Sequence, residues 1–371
     1  MTRPPLNIAL IGSGFMGRAH ALAFAAADRS FALPRAPRVA ILADRDLETA
    51  RGAAAALGIE RASGDWREAI GDAGIDMVAI TTPNALHAPI AIAALEAGKA
   101  VYCEKPLATT IAESEAMVAA AAATRLPTAV GFTYLYNPMV VLARDLIAAG
   151  EIGAVTAFRG IHAEDFMASA DAPFNWRCEP GQAGGALADI GSHIIAMAQH
   201  LVGDIAAVSG RLHTAHRARR DAQGRERPVA VDDQMDAVVE FATGATGTLA
   251  ASWIASGRKM GLAFEVSGTR GSIAFTQERF NELQLYRAGP GRANGFTTIC
   301  AGPEHGDYGA FCPASGHQIG YNDLKTIEAK AVIEAASGLP SSAKSFADAL
   351  AVERVADAIR RSHDGKGWIR L

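Results

Sequence analysis

The chain has 371 residues, half of them apolar, and a formal net charge of −4. That length accommodates two domains and a sizeable core, and the acidic balance argues against a nucleic-acid surface. Four cysteines, Cys103, Cys178, Cys300 and Cys312, show no CxxC spacing and are too few to staple such a chain, so they read as reduced thiols of a cytoplasmic protein.

No uninterrupted apolar run is long enough to cross a bilayer, since Arg125 and Pro127 cut the alanine-rich stretch 117–131. Residues 6–11 read as a buried strand that runs into Gly12-Ser13-Gly14-Phe15-Met16-Gly17, not into an export cleavage site. Residues 18–27 then follow a helical pattern. Between a strand and a helix a GxGxxG string has a mechanism. Gly12 makes the tight turn, Gly14 lets the backbone approach a pyrophosphate, and Gly17 lets the helix pack on the strand. Free N–H groups at the helix start then meet the phosphates, with Phe15 and Met16 inside the same cradle. A second strand, 38–43, ends at Asp44 after what looks like an inserted loop at 29–37. An acidic residue there accepts both hydroxyls of an adenosine ribose and repels a 2′-phosphate, which favours NAD over NADP. Arg45 next door softens that preference, so NADP stays possible.

Alternation continues, with helices at 47–57, 85–97 and 110–123 and strands at 77–80, 100–103 and 128–132. This predicts a parallel, doubly wound sheet over residues 1–133, with ligands beyond the carboxyl ends of its strands. Two polar clusters stand at such ends: Thr81-Thr82-Pro83-Asn84-Ala85-Leu86-His87 and Glu104-Lys105-Pro106. Thr82, Asn84 and Glu104 are thereby cofactor-site candidates. Proline biases the residue before it toward extended geometry, which points Lys105 over the cleft. His87 either touches the cofactor or closes a helix turn.

From residue 155 the pattern changes, after a helix at 138–149. Extended runs at 155–161, 234–241, 246–253, 262–267, 272–276 and 282–286 are joined by glycine-bearing turns. Residues 134–371 therefore form an α+β domain with a mainly antiparallel open sheet. One sheet face takes helices and the other needs a partner, which predicts a homo-oligomer, a dimer or tetramer packed through this sheet. The Arg- and His-rich stretch 211–227 reads as a solvated loop. No set of residues has metal-ligand spacing, so no metal is expected. Two glycines, Gly184 and Gly185, open an apolar run bearing Asp189 and His193. On a helix these two share a face, and a helix start favours an ionised Asp189 and an uncharged His193, a proton acceptor. A cap and a core histidine are the bland alternative. Helical patterns return at 320–338 and 346–361.

Together, the glycine string with Phe15-Met16, the Thr82-Pro83-Asn84 to His87 string, Glu104-Lys105-Pro106 and the Gly184-Gly185 to Asp189 to His193 segment resemble the Gfo/Idh/MocA oxidoreductase family over nearly the whole chain. That resemblance implies a Rossmann domain, NAD(P)-dependent hydride chemistry on a sugar or cyclitol hydroxyl, and an oligomer. It puts Lys105, Asp189 and His193 at the family's catalytic positions. His193 is the expected base, Lys105 holds the hydroxyl and steadies the alkoxide, and Asp189 orients the pair. A polyol needs several hydrogen-bonding groups and an aromatic face, so Asp165, Trp176, Arg177 and Tyr134 are the substrate candidates. Many relatives carry an aspartate where Ala196 stands and an arginine where Leu135 stands, and both absences weaken the case for inositol. Two rival readings remain. One is a glycoside-cleaving enzyme that oxidises its sugar transiently. The other is a non-catalytic nucleotide sensor, which retention of the three candidate side chains disfavours.

Overall fold

The computed structural model describes residues 3–290 and 294–371. The chain forms two compact units, Met1–Tyr136 with Gly320–Leu350, and Asn137–Ile319 with Ala351–Leu371. The division is therefore not a single cut, because residues beyond 319 return to the first unit.

Among the described residues the first unit holds a six-stranded parallel sheet. Its elements are β1 (Pro5–Ile11), α1 (Phe15–Ser30), β2 (Ala36–Ala43), α2 (Leu47–Leu57), β3 (Arg61–Ser63), α3 (Trp66–Gly71), β4 (Met77–Ile80), α4 (His87–Glu96), β5 (Ala100–Glu104), α5 (Ile111–Thr124) and β6 (Thr128–Gly131). The strand order is β3-β2-β1-β4-β5-β6, with every adjacent pair parallel. The order in which strands are added reverses between β1 and β4, the crevice where such sheets bind ligands. β4 and β5 are buried along their whole length, which is why they read as unbroken apolar runs. Local chemistry sets the helix starts. Asp46 accepts from Thr49 N at α2, and Thr110 and Glu113 form a reciprocal capping box at α5. The helix Tyr321–Ala336 belongs here too, with Ala329, Val332 and Ile333 in one core with Leu6, Phe24 and Ala27. The loop after α1 is shorter than the sequence suggested, because α1 runs to Ser30 and β2 begins at Ala36.

The second unit contains α6 (Pro138–Ala148), β7 (Val155–Ala163), α7 (Ser192–Val202), β8 (Ile205–His213), β9 (Ala218–Arg220), β10 (Glu226–Pro228), β11 (Gln234–Phe241), β12 (Thr246–Ser252), β13 (Gly261–Gly268), β14 (Gly271–Thr276), β15 (Glu282–Arg287), β16 (Thr297–Cys300) and β17 (Ile369–Arg370). Helix α8 is Tyr321–Ala336, and α9 is Phe346–Gly365. Among the described residues nine strands make one sheet, β16-β15-β14-β13-β7-β12-β11-β8-β17. β7 and β12 pair in parallel and the remaining neighbours are antiparallel. β11 shows the alternation plainly: Met235, Ala237, Val239 and Phe241 are buried while Asp236, Val238 and Glu240 are exposed. α7 lies close on β7, where a Cβ on Gly160 would meet Ile194 Cδ1 at 2.7 Å. On the opposite face Ile161 and Val238 are exposed.

The stretch 211–227 is not a solvated loop. It ends β8 and then forms the two-stranded ribbon β9-β10. Arg219 is buried there, donating to the carbonyls of Met167 at 2.8 Å, Ser169 at 2.8 Å and Ala172 at 3.1 Å. Three carbonyls and the nearby Asp233 carboxylate, at 3.8 Å, engage the two terminal nitrogens of a guanidinium that the sequence places in a run of solvent-seeking charges, while its Nε is buried with no hydrogen-bond partner among the described residues.

Candidate active site

The glycine loop is shaped as the sequence requires. Gly12 has φ +99°, and a Cβ there would lie 2.7 Å from the Thr81 carbonyl oxygen. A Cβ on Gly17 would overlap the Gly12 carbonyl, whereas Gly14 faces open space. Gly14 caps α1 without any side-chain bond, and no acidic residue sits in the first turn. The helix therefore offers its first N–H groups to an anion, the fit a pyrophosphate needs. Asp44, just past β2, is locked to this loop: its Oδ2 accepts from Ser13 N at 2.8 Å and Ser13 Oγ at 2.5 Å, and its Oδ1 from Arg45 N at 2.7 Å. Arg45 turns to Asp46 instead, at 3.2 Å, and is largely exposed.

The tips after β4 and β5 are tied together by His87, which is 1% exposed. Its Nδ1 lies 2.8 Å from the Pro106 carbonyl and its Nε2 3.1 Å from the Thr82 carbonyl. Burial is the largest influence on its pKa and lowers it, against the raising effect of those carbonyls, and the ring bridges the two tips. Asn84 is buried beside it, while Thr82 Oγ1 is buried with no partner among the described residues, a hydroxyl left for a bound group. Lys105 is half-buried and precedes a cis Pro106.

Behind Lys105 lies a buried polar cluster that sequence reasoning missed. Glu104 Oε1 accepts from Lys325 Nζ at 2.7 Å and from His20 Nε2 at 2.7 Å. Lys325 also donates to Glu328 Oε2 at 2.8 Å and Thr133 Oγ1 at 3.2 Å, and Thr133 donates to Glu328 Oε2 at 2.8 Å. Burial pushes Glu104 up, but the Lys325 ammonium and the His20 bond outweigh it and hold the carboxyl well below its usual range. Burial and the Lys325 charge lower His20 to about 4, so it is neutral and donates. Burial raises Glu328, whose neighbour Glu104 also disfavours its charge.

In the second unit Asp189 and His193 do not share one regular helix, contrary to the expectation from sequence. Asp189 sits in a π-helical turn, Leu187–Gly191, that feeds into α7, and His193 is the second residue of α7. π turns of this kind recur at functional sites because they re-aim one side chain within a helix. The turn is set by Asp232, whose Oδ2 accepts from Leu187 N at 2.7 Å and whose carbonyl accepts from Ala186 N at 2.9 Å. Gly185, at φ +103°, has room only for hydrogen where a Cβ would strike that carboxylate. Asp189 Oδ2 accepts from Arg177 Nε at 2.8 Å. The Arg177 guanidinium lies 4.3 Å over the Trp176 ring and 5.5 Å from that of Phe166, both exposed. His193 is 9% exposed, with its ring 5.5 Å from that of His162. His162 in turn faces the Ile190 carbonyl and Glu164 Oε1, each at 3.0 Å. Asp165 is engaged by Lys259 at 2.7 Å and Gly257 N at 3.0 Å. Tyr134, in the first unit, lies 6.3 Å from the Tyr321 ring. Among the described residues, no cluster of three or more His, Cys, Asp or Glu side chains has a metal-binding arrangement.

A parallel sheet of this order, with a glycine-lined anion cradle and an acidic residue at the end of its second strand, defines a Rossmann-type, NAD-dependent oxidoreductase. Residues 6–132 match the oxidoreductase family with an NAD-binding Rossmann fold, and residues 140–274 match the Gfo/Idh/MocA C-terminal domain. The chain is 41% identical to levoglucosan dehydrogenase of Pseudarthrobacter phenanthrenivorans over 98% of its own length and 97% of that protein. It is 32% identical to scyllo-inositol 2-dehydrogenase (NAD+) of Bacillus subtilis over 62% of this chain and 64% of that one. A crystal structure of levoglucosan dehydrogenase in complex with NADH and levoglucosan is similar with a TM-score of 0.95, 41% identity and 99% of each chain covered. The chain belongs to the Gfo/Idh/MocA oxidoreductase family. Among the described residues no helix is long and apolar enough to cross a membrane.

Proposed function

We propose that the protein is an NAD-dependent dehydrogenase that oxidises a secondary hydroxyl of a sugar, anhydrosugar, glycoside or cyclitol. The observation that carries this reading is the similarity to levoglucosan dehydrogenase along essentially the full length of both chains. It supports an anhydrosugar of the levoglucosan type as the first substrate to try. Bound NAD would supply the hydride acceptor, and Gly12, Gly14, Phe15, Met16 and Gly17 would hold its phosphates, Asp44 its ribose, and Thr82 and Asn84 its part at the strand tips, while Glu104, whose carboxylate is taken by Lys325 and His20, would act only from behind the site. His193 removes the hydroxyl proton, for which it must come within about 2.6–3.2 Å of that oxygen. The Lys105 ammonium stabilises the oxygen as negative charge develops on it. Asp189 balances charge at the site, and its bond to Arg177 couples it to a guanidinium backed by two exposed aromatic rings. Trp176 offers a sugar's C–H face an apolar surface, while Arg177 and Tyr134 supply donors. Asp165, engaged by Lys259, reaches a substrate only by exchanging that partner.

A panel of monosaccharides, anhydrosugars, glycosides and cyclitols, monitored for NADH and NADPH formation, tests the reading. His193→Ala should lower turnover on the active substrate by about 10²–10⁴-fold with NADH affinity kept, and turnover near that of the parent would remove His193 from the mechanism. The exposed sheet face bearing Ile161 and Val238 is proposed as the contact between copies in a dimer or tetramer. Sedimentation of the intact chain as a single monomeric species would rule this out.

A further inference from the structure

Lys325 stands on α8, far along the chain from every cofactor-site element, and is 1% exposed. Its ammonium has three protons to donate, and three acceptors take them: Glu104, Glu328 and the Thr133 hydroxyl. Packing alone does not require this arrangement. The same helix buries Ala329, Val332 and Ile333 in the nearby apolar core, and a buried ion cluster is seldom more stabilising than apolar residues of similar volume. Its distinguishing feature is what it connects. Glu104 is the last residue of β5 and the residue before Lys105. Thr133 follows β6. His20, bonded to the same Glu104 oxygen, lies on the helix that starts in the glycine loop. One turn earlier on α8, Tyr321 stacks on Phe15 at 6.2 Å, and its hydroxyl lies 3.5 Å from Met16 Sδ.

We propose that α8 is a brace built into the cofactor site, with Lys325 as a positioning residue that fixes Glu104, and through Glu104 the backbone of Lys105, in register with the glycine loop. The brace acts through hydrogen-bond geometry. The ammonium is held from three directions, so the Glu104 carboxylate has one orientation and the β5 tip one height relative to Thr133 and His20. The proposal rests on NAD occupying the cleft between these tips.

The test uses the intact chain, NADH fluorescence titration at a temperature well below unfolding, the unfolding temperature without cofactor, and steady-state kinetics. Thr133→Val removes one acceptor of Lys325 and one donor to Glu328 with almost no change of shape. It should weaken NADH binding by about fivefold or more and lower kcat, whereas Thr133→Ser, which keeps the hydroxyl, should stay within about twofold of the parent. Lys325→Met combined with Glu328→Gln removes the ammonium together with one of its counter-carboxylates, and should weaken NADH by about tenfold or more. If that pair of changes prevents folding, the two Thr133 variants decide the matter. A purely structural role lowers the unfolding temperature and leaves NADH affinity of the folded protein unchanged. Folded Thr133→Val binding NADH as the parent does, or Thr133→Ser losing as much as Thr133→Val, overturns the proposal. Failure of the parent itself to bind NADH would instead overturn the cofactor reading beneath it.

Discussion

Asp232 is the carboxylate that bonds to the start of the π turn bearing Asp189, and replacing it by asparagine should make the protein more stable at alkaline pH. Burial raises its pKa from 3.8 to about 6, the neighbouring Asp233 adds to the effect, and the Leu187 N–H bond and the Arg360 charge only partly oppose it. A carboxyl whose pKa is higher folded than unfolded binds more protons in the native state, so its ionised form is disfavoured by the fold. The penalty is absent below about pH 3.8, grows as pH rises and is complete above about 6. At about 1.4 kcal/mol per pH unit, that interval corresponds to about 3 kcal/mol. Asparagine keeps an oxygen for Leu187 N–H but presents an amide nitrogen elsewhere in a site shaped around two oxygens. The expected gain at pH 8 is therefore about 1–3 kcal/mol. For a domain of about 150–250 residues this raises the melting temperature by about 2–12 °C. Scanning calorimetry of parent and Asp232→Asn at pH 8, 6 and 4 reads it, and the gap should close by pH 4. A variant melting at or below the parent at pH 8, or a gap that ignores pH, would show that the buried charge is not the penalty described.

Two further changes probe the nucleotide cradle. Gly17→Ala sets a methyl group against the Gly12 carbonyl, which should weaken NADH binding by about 10–100-fold through displacement of the loop; fluorescence titration within twofold of the parent would show that the close approach is dispensable. Asp44→Asn removes the charge proposed to repel a 2′-phosphate while keeping an acceptor for Ser13, and the ratio of kcat/KM for NADP to that for NAD should rise by about tenfold. An unchanged ratio would move cofactor choice to another residue.

The first unit's sheet was legible because its central strands β4 and β5 are buried on both faces and its runs are punctuated by glycine and proline. β4 and α2 begin and end where the residue pattern places them, and Asp44 stands where the second strand stops. β3 and α3 escaped notice because three and six residues are too few to show a period. The π turn was invisible for a different reason. Its geometry depends on Asp232, which is remote in sequence, and a run of apolar residues with Asp and His four apart suits an ordinary helix equally well. Lys325 and Arg219 escaped by the same logic: each is a cation that sequence assigns to solvent, and each is buried only because acceptors from distant segments converge on it. Arg177 was read as a substrate contact, but its bond to Asp189 had no local signature.

The nucleotide unit is assembled from two separated stretches, Met1–Tyr136 and Gly320–Leu350, and that dictates when it is finished during synthesis. A ribosome that has released residues up to Tyr136 has made the six parallel strands yet not the helix carrying Ala329, Val332 and Ile333, nor the Lys344 carbonyl to which Val130 N–H donates at 2.7 Å. Until α8 emerges, Glu104 has no ammonium to meet and the apolar flank of α1 stays uncovered. The nascent chain therefore carries this unit incomplete while residues 137–319 are made, and its apolar core closes only once the stretch 320–350 has emerged.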